Sequence, residues 1–101
     1  FMKSTLKPVL AMETLNVSKK VMVQNAQGLH ARPADLFVKT ANRYSSSIEV
    51  TKGSETVDGK SILNILTLAA EQGTELEIHA IGDDAHEALA ALTELFEQGF
   101  E

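Results

Sequence analysis

Hydrophobic and polar positions along this chain follow two periods, and the switches between them mark out its elements. Val17, Val21 and Val23 share one face of a strand over residues 17–23, with Lys19 interrupting the pattern. Residues 25–28 read as a turn. From Ala31 the period changes: Ala34, Phe37, Val38 and Ala41 fall at i, i+3, i+4 and i+7, the stripe of an amphipathic helix. Pro33 sits in its first turn, where a missing N–H costs little. The helix therefore begins at about His30 or Ala31 and fades near residues 42–44. Residues 47–51 alternate as a strand, 52–54 turn, and 55–57 return as the second arm of a hairpin. After a further turn at 58–60, Ser61 is placed to cap a helix carrying Ile62, Ile65, Leu66 and Ala69, which ends before Gly73. Residues 74–80 alternate cleanly, with Leu76, Ile78 and Ala80 inward and Glu75, Glu77 and His79 facing solvent. Asp83 and Asp84 cap a last helix, whose stripe of Ala85, Ala88, Leu89, Leu92, Leu95 and Phe96 is the strongest in the chain.

Four strands and three helices in the order βαββαβα predict an α+β fold in two layers. The helices cover one face of the sheet and the other face meets water. Residues 17–101 form one domain. Residues 1–16 show no clean period, are interrupted by Pro8, and read as an N-terminal extension or an appended segment. Phe1 precedes Met2, and Met2 and Met12 are both plausible starts.

Composition narrows the functional classes. The chain has 101 residues, 44% of them hydrophobic, enough for a core without covalent staples. Nine basic against 14 acidic residues leave a net charge of −5, a poor match to a nucleic-acid backbone or an anionic membrane surface. With no cysteine, disulfides, thiol catalysis and cysteine-ligated zinc are excluded, and a reducing compartment fits. No apolar run approaches a membrane span, so the expected location is the cytoplasm. Three scattered histidines have no metal-ligand spacing, and no metal or cofactor is expected. His86, like His79, reads as solvent-facing.

The remaining chemistry gathers at His30. A helix that starts just after it leaves first-turn N–H groups without partners, and the helix dipole adds to their preference for an anion. Arg32 can swing to the same spot and add a charge-assisted grip. An imidazole there is a competent covalent nucleophile toward a phosphoryl group. On the triplet Gly28-Leu29-His30 alone, a turn or capping histidine is the plainer reading.

The wider motif changes that balance. N-A-Q-G-L-H-A-R-P-A, residues 25–34, resembles the active-site signature of HPr, the histidine-containing phosphocarrier family of the bacterial phosphotransferase system. D-G-K-S-I-L-N-I-L-T-L, residues 58–68, resembles the family's second signature, around its regulatory serine. The likeness covers roughly residues 17–98. It implies an open-faced sandwich with a four-stranded antiparallel sheet and three helices on one face. It further implies that His30 accepts a phosphoryl group from enzyme I and donates it to IIA domains, that Arg32 assists, and that Ser61 is modified by an HPr kinase/phosphorylase. A monomeric carrier, rather than an enzyme in its own right, is expected.

Ser61 is also simply a helix cap, and Lys60 beside it either helps a kinase dock or is solvated. Apolar residues at Ile62, Leu63, Ile65, Leu66 and Leu68 exceed one helical stripe, so either the helix is buried on two sides or some of them form a docking patch beside His30. The resemblance favours docking through Ala31, Ile62, Leu63 and Leu66. Asp35 departs from the family pattern, in which that position is more often small or neutral. It lies about one turn from the phosphoryl site and can pair with Arg32 or Lys39, or weaken docking to an acidic partner. Two other readings compete with the carrier. One is a regulatory module, of a nitrogen-type branch or acting through Ser61 phosphorylation on a transcriptional regulator. The other is a small-molecule regulatory domain of ACT type, which leaves G-L-H-A-R-P unexplained.

Overall fold

In the computed structural model, residues 15–100 are described. The elements are β1 (Asn16–Met22), α1 (Ala31–Ala41), β2 (Ser47–Lys52), β3 (Glu55–Asp58), α2 (Ile62–Thr67), β4 (Glu75–Ile81) and α3 (Ala85–Glu97). The sheet order is β1-β4-β2-β3, antiparallel throughout. Its register explains the alternation read from the sequence. Val21 stands opposite Leu76, Val17 and Ile48 both flank Ala80, and Val50 lies between Ile78 and Val57. These side chains line the inner face, on which the helices pack.

Alanines set the spacing of the layers. Ala34, Ala41, Ala80, Ala85 and Ala88 are fully buried, and their small side chains let α1, α3 and the sheet approach closely. Phe37 and Phe96 fill the space between the two helices. Burying each large side chain of this kind contributes roughly 1.5–3 kcal/mol. Among the described residues, no helix covers the opposite face of the sheet, which carries Ser18, Lys20, Glu49, Thr51, Glu75 and Glu77.

Several expectations shift by a residue or change in kind. β1 starts at Asn16, and Leu15 is partly buried against the core, so these two residues of the expected extension belong to the domain. The rest of that extension, residues 1–14, lies outside the described residues, as does Glu101. Lys19 occupies an inward row on the edge strand but stays exposed, in a groove under α3 lined also by Leu89, Ala90 and Thr93. This is how a lysine keeps its ammonium in water while its stem covers apolar surface.

The helix after Ser61 is shorter than its periodicity suggests. It ends at Thr67, Ala69 turns into a left-handed conformation (φ 48°) and is exposed, and Leu68 takes the buried place instead. Lys52 Nζ donates to the Leu68 carbonyl at 2.8 Å, satisfying an acceptor that this early end leaves free. His79 does not simply face solvent. Its ring lies 3.6 Å from the Glu49 carboxylate and bonds Asn16 Oδ1 across the sheet.

Asp84 stands at the N-cap of α3 but makes no side-chain capping bond. Its carboxylate instead accepts from the backbone N–H groups of Ser45 and Ser46, each at 2.9 Å, and from the buried Ser46 hydroxyl. These bonds, led by that from the Ser46 hydroxyl, hold its pKa down from 3.8 to about 2. The expected cap is thus a clamp between the loop leaving α1 and the loop entering α3.

Candidate functional site

The loop that leads into α1 is fixed by its neighbours before any chemistry is considered. Val23 N–H donates to Thr74 O at 2.9 Å and Gly73 N–H to Val23 O at 2.8 Å. Leu29 N–H donates to Ala70 O at 2.9 Å, and Gln72 Nε2 to Gln24 O at 2.9 Å. Gly28 lies between these ties with φ +71°, and a Cβ there would stand 2.4 Å from Ala70 O. Only glycine allows this conformation and approach together. Asn25 braces the same turn: its backbone carbonyl accepts from Gly28 N–H at 3.0 Å and its side-chain amide donates back to Gly28 O. Leu29 is buried and anchors the loop to the core.

His30 follows as the N-cap of α1, with extended backbone (φ −82°, ψ −168°). Its carbonyl accepts the first helical bond, from Ala34 N–H at 3.0 Å. Its ring makes no capping hydrogen bond and is exposed, so the side chain is not consumed by the role that most residues play at that position. Ala31 and Arg32 are exposed in the first turn and Pro33 is buried. Since proline carries no N–H, the unpartnered first-turn donors reduce to those of Ala31 and Arg32. Arg32 takes part in no ion pair among the described residues, and Asp35 pairs with Lys39 at 3.1 Å instead.

His30, Arg32 and Pro33 line a shallow depression of about 460 Å³ together with Asn25, Gln27, Gly99 and Phe100. The last four were not singled out from the sequence. Asn25 and Gln27 read as turn residues inside the 25–34 motif with no role of their own, and Gly99 and Phe100 lie beyond the last helical stripe. The depression brings an imidazole and a guanidinium together at the N-terminus of α1, a combination that suits a tetrahedral anion.

Ser61 is half-buried at the N-cap of α2. Its hydroxyl accepts from Asn64 N–H at 3.2 Å and from Asn64 Nδ2 at 3.1 Å, so the expected cap is present. Lys60 Nζ donates to Tyr44 O at 2.7 Å, tying the turn before α2 to the loop that leaves α1. Ile62 and Leu63 are 36% and 72% exposed. Ile65 and Leu68 are buried, and Leu66 is half-buried and packs against the core. The helix is thus buried on one side, with Ile62 and Leu63 left exposed, and Leu66 belongs more to the core rim than to that exposed side. Among the described residues no three His, Asp or Glu side chains gather as a metal site, and no helix is long and apolar enough to cross a membrane.

Residues 17–98 match the family model of the PTS HPr component phosphorylation site. The chain belongs to the HPr family. It is 42% identical to the phosphocarrier protein HPr of Treponema pallidum over 84% of this chain and 97% of that one. It is 45% identical to the HPr-like protein Crh of Bacillus subtilis over 75% and 89%. Among solved structures, HPr-C-His from Thermoanaerobacter tengcongensis superposes with a TM-score of 0.81 at 44% identity, covering 83% of this chain and 94% of that one. An HPr dimer from the same organism matches with a TM-score of 0.69 at 46% identity, covering 80% and 93%. The four-stranded open sheet with its three helices is therefore the HPr fold. Phosphocarriers of the phosphotransferase system are what this chain is most plainly related to.

Proposed function

We propose that this HPr-family chain is a phosphoryl relay with His30 as its covalent station. A ring nitrogen of His30 attacks the phosphorus carried by phospho-enzyme I, the N–P bond to His30 forms, and the bond to the donor breaks. The phosphoryl oxygens are held by Arg32 and the amides of Ala31 and Arg32. Attack by a nucleophile on a IIA domain then reverses the process and frees the imidazole. The chain acts as a stoichiometric cytoplasmic carrier, a monomer, and not as an enzyme in its own right. Ala31, Ile62 and Leu63 form the partner-facing surface, with Asp35 and Leu66 at its edge.

One observation supports this most: the His30 ring is exposed at a helix N-cap without making the cap's own hydrogen bond, beside an arginine that forms no ion pair among the described residues. The test is incubation with enzyme I and phosphoenolpyruvate. An acid-labile, base-stable mass gain of one phosphoryl group is expected, lost in His30→Ala and kept in Ser61→Ala. No gain in the unaltered chain, or a gain that survives His30→Ala, would overturn the relay.

A second reading has its own support in the likeness to Crh and in the placement of Ser61. Phosphorylation of Ser61 by an HPr kinase/phosphorylase adds roughly two negative charges at the start of α2, which the fold accommodates and a docked partner feels. Such a module acts through contact with a transcriptional regulator or within a nitrogen-type branch. An ATP-dependent, acid-stable gain at Ser61, without phosphoryl uptake at His30, would favour it over the relay.

A further inference from the structure

Three aromatic rings run from the core to the rim of the His30 depression. Phe37 on α1 meets Phe96 on α3 edge-on, with centroids 6.0 Å apart, and Phe96 meets Phe100 the same way at 4.8 Å. The end of α3 folds back to make this possible. Gly99 N–H donates to Phe96 O at 3.1 Å and Phe100 N–H to Leu95 O at 2.9 Å, the paired bonds of a left-handed helix stop. Phe100 itself has φ +63° and is only 9% exposed. A residue with a side chain enters that region at a cost and persists there only where its surroundings over-determine it, and such residues concentrate at functional sites. Here the same residue lines the depression of His30, Arg32 and Pro33.

We propose that Phe100 is a positioning residue for the phosphoryl group on His30, forming with Pro33 the apolar wall that keeps water from the phosphorus. The proposal rests on the phosphocarrier reading of His30. Loss of the group to solvent occurs when a water oxygen attacks phosphorus. The N–P bond then breaks, its electron pair returns to the ring nitrogen, and inorganic phosphate departs with the displaced protons shared between it, the ring and solvent. An apolar wall leaves fewer positions from which that water can attack. It also lowers the local dielectric, which strengthens the hold of Arg32 on the phosphoryl oxygens. The polar side of the depression, with Asn25 and Gln27, remains open to a partner.

The experiment uses the full chain charged on His30 with phosphoramidate, a small chemical donor that needs no enzyme I. The half-life of phosphohistidine is followed by 31P NMR in the unaltered chain and in Phe100→Gly, Phe100→Ala and Phe100→Leu. Glycine removes the ring and relieves the backbone at once, so Phe100→Gly is the variant best placed to stay folded, as checked by circular dichroism. Half-lives in Phe100→Gly and Phe100→Ala are expected to shorten by roughly ten-fold, toward that of the urea-unfolded phosphorylated chain. Phe100→Leu, which refills the wall, is expected to stay within about two-fold of the parent. A folded Phe100→Gly with the parent's half-life overturns the proposal, as does a Phe100→Leu that is as labile as Phe100→Gly. Should the chain accept phosphoryl from phosphoramidate but not from phospho-enzyme I, the relay reading fails separately, while the half-lives still decide the role of Phe100.

Discussion

Replacing Gly28 with alanine isolates what the approach loop contributes to His30. Two penalties apply. The first is conformational: an alanine at φ +71° sits in the left-handed region, which costs an L-residue roughly 1–2 kcal/mol, offset by about 0.4–1 kcal/mol from a less free unfolded chain. The second is contact. The new Cβ would lie 2.4 Å from Ala70 O and 3.0 Å from Glu71 Cα, and neither is a flexible side chain able to swing aside. Relief requires the two loops to part, which opens the bond from Leu29 N–H to Ala70 O. Leaving those groups unpaired adds about 1–3 kcal/mol. Gly28→Ala is therefore expected to lose roughly 1–4.5 kcal/mol in all, a fall in Tm of at least about 4 °C for a domain of this size. Gly73→Ala is the matched control, since Gly73 also has positive φ (+89°) but nothing within 4 Å of a Cβ, so it bears the first penalty alone. Thermal and urea unfolding of both variants measure the difference. Below the transition, Gly28→Ala is expected to accept phosphoryl on His30 up to about 100-fold more slowly, because a displacement near 1 Å suffices for such a loss. If the two variants agree within about 0.5 kcal/mol, the contact argument is wrong.

Three further outcomes follow from the side-chain geometry. The Asp84 carboxylate is held below its ordinary pKa, at about 2 against 3.8. The stability it contributes is therefore present above about pH 4 and fades as pH falls toward 2. Acid titration of Asp84→Asn is expected to lack this component, and an unaltered acid profile would count against the clamp. Ser61→Ala removes an acceptor for Asn64 N–H and is expected to cost about 1 kcal/mol in urea unfolding while leaving phosphoryl uptake at His30 intact. Asp35→Ala breaks an exposed pair with Lys39, with an expected stability change of no more than about 0.5 kcal/mol. Its phosphoryl uptake from enzyme I is expected to be faster, and an equal or slower rate would refute a repulsive role for that carboxylate.

Periodicity located most described elements because most bury one face, while the edge strand β3, with no buried residue, was found as the return arm of a hairpin. Leu76, Ile78 and Ala80 could be assigned inward before any register was known. Local pattern was silent wherever a contact spans the chain. Asp84 has the sequence position of a cap, but its partners are 38 and 39 residues away. The alternation placed His79 on the outer face correctly, yet only strand pairing puts Glu49 and Asn16 beside it. The positions of His30, Arg32 and Ser61 at helix starts were legible from capping signals and Pro33, whereas the roles expected of them came from the resemblance of residues 25–34 and 58–68 to family signatures. Phe100 and Asn25 were not legible, since one reaches the depression through a helix stop and the other through a turn that any polar residue could have filled. Ala69 misled because a helical spacing continues past the point where the backbone reverses.

The cross-ties between residues 23–29 and residues 70–74 have a bearing on how encounters with partners proceed. A ring presented on an already ordered loop needs no rearrangement when a partner arrives, so little ordering entropy is lost on contact and little is regained on parting. In the relay proposed above, association would then run close to the rate set by diffusion and charge, and the exposed apolar area around Leu63 would set the lifetime of each complex. A carrier of the proposed kind would visit its partners briefly, and its throughput would depend more on how often it collides than on how tightly it holds.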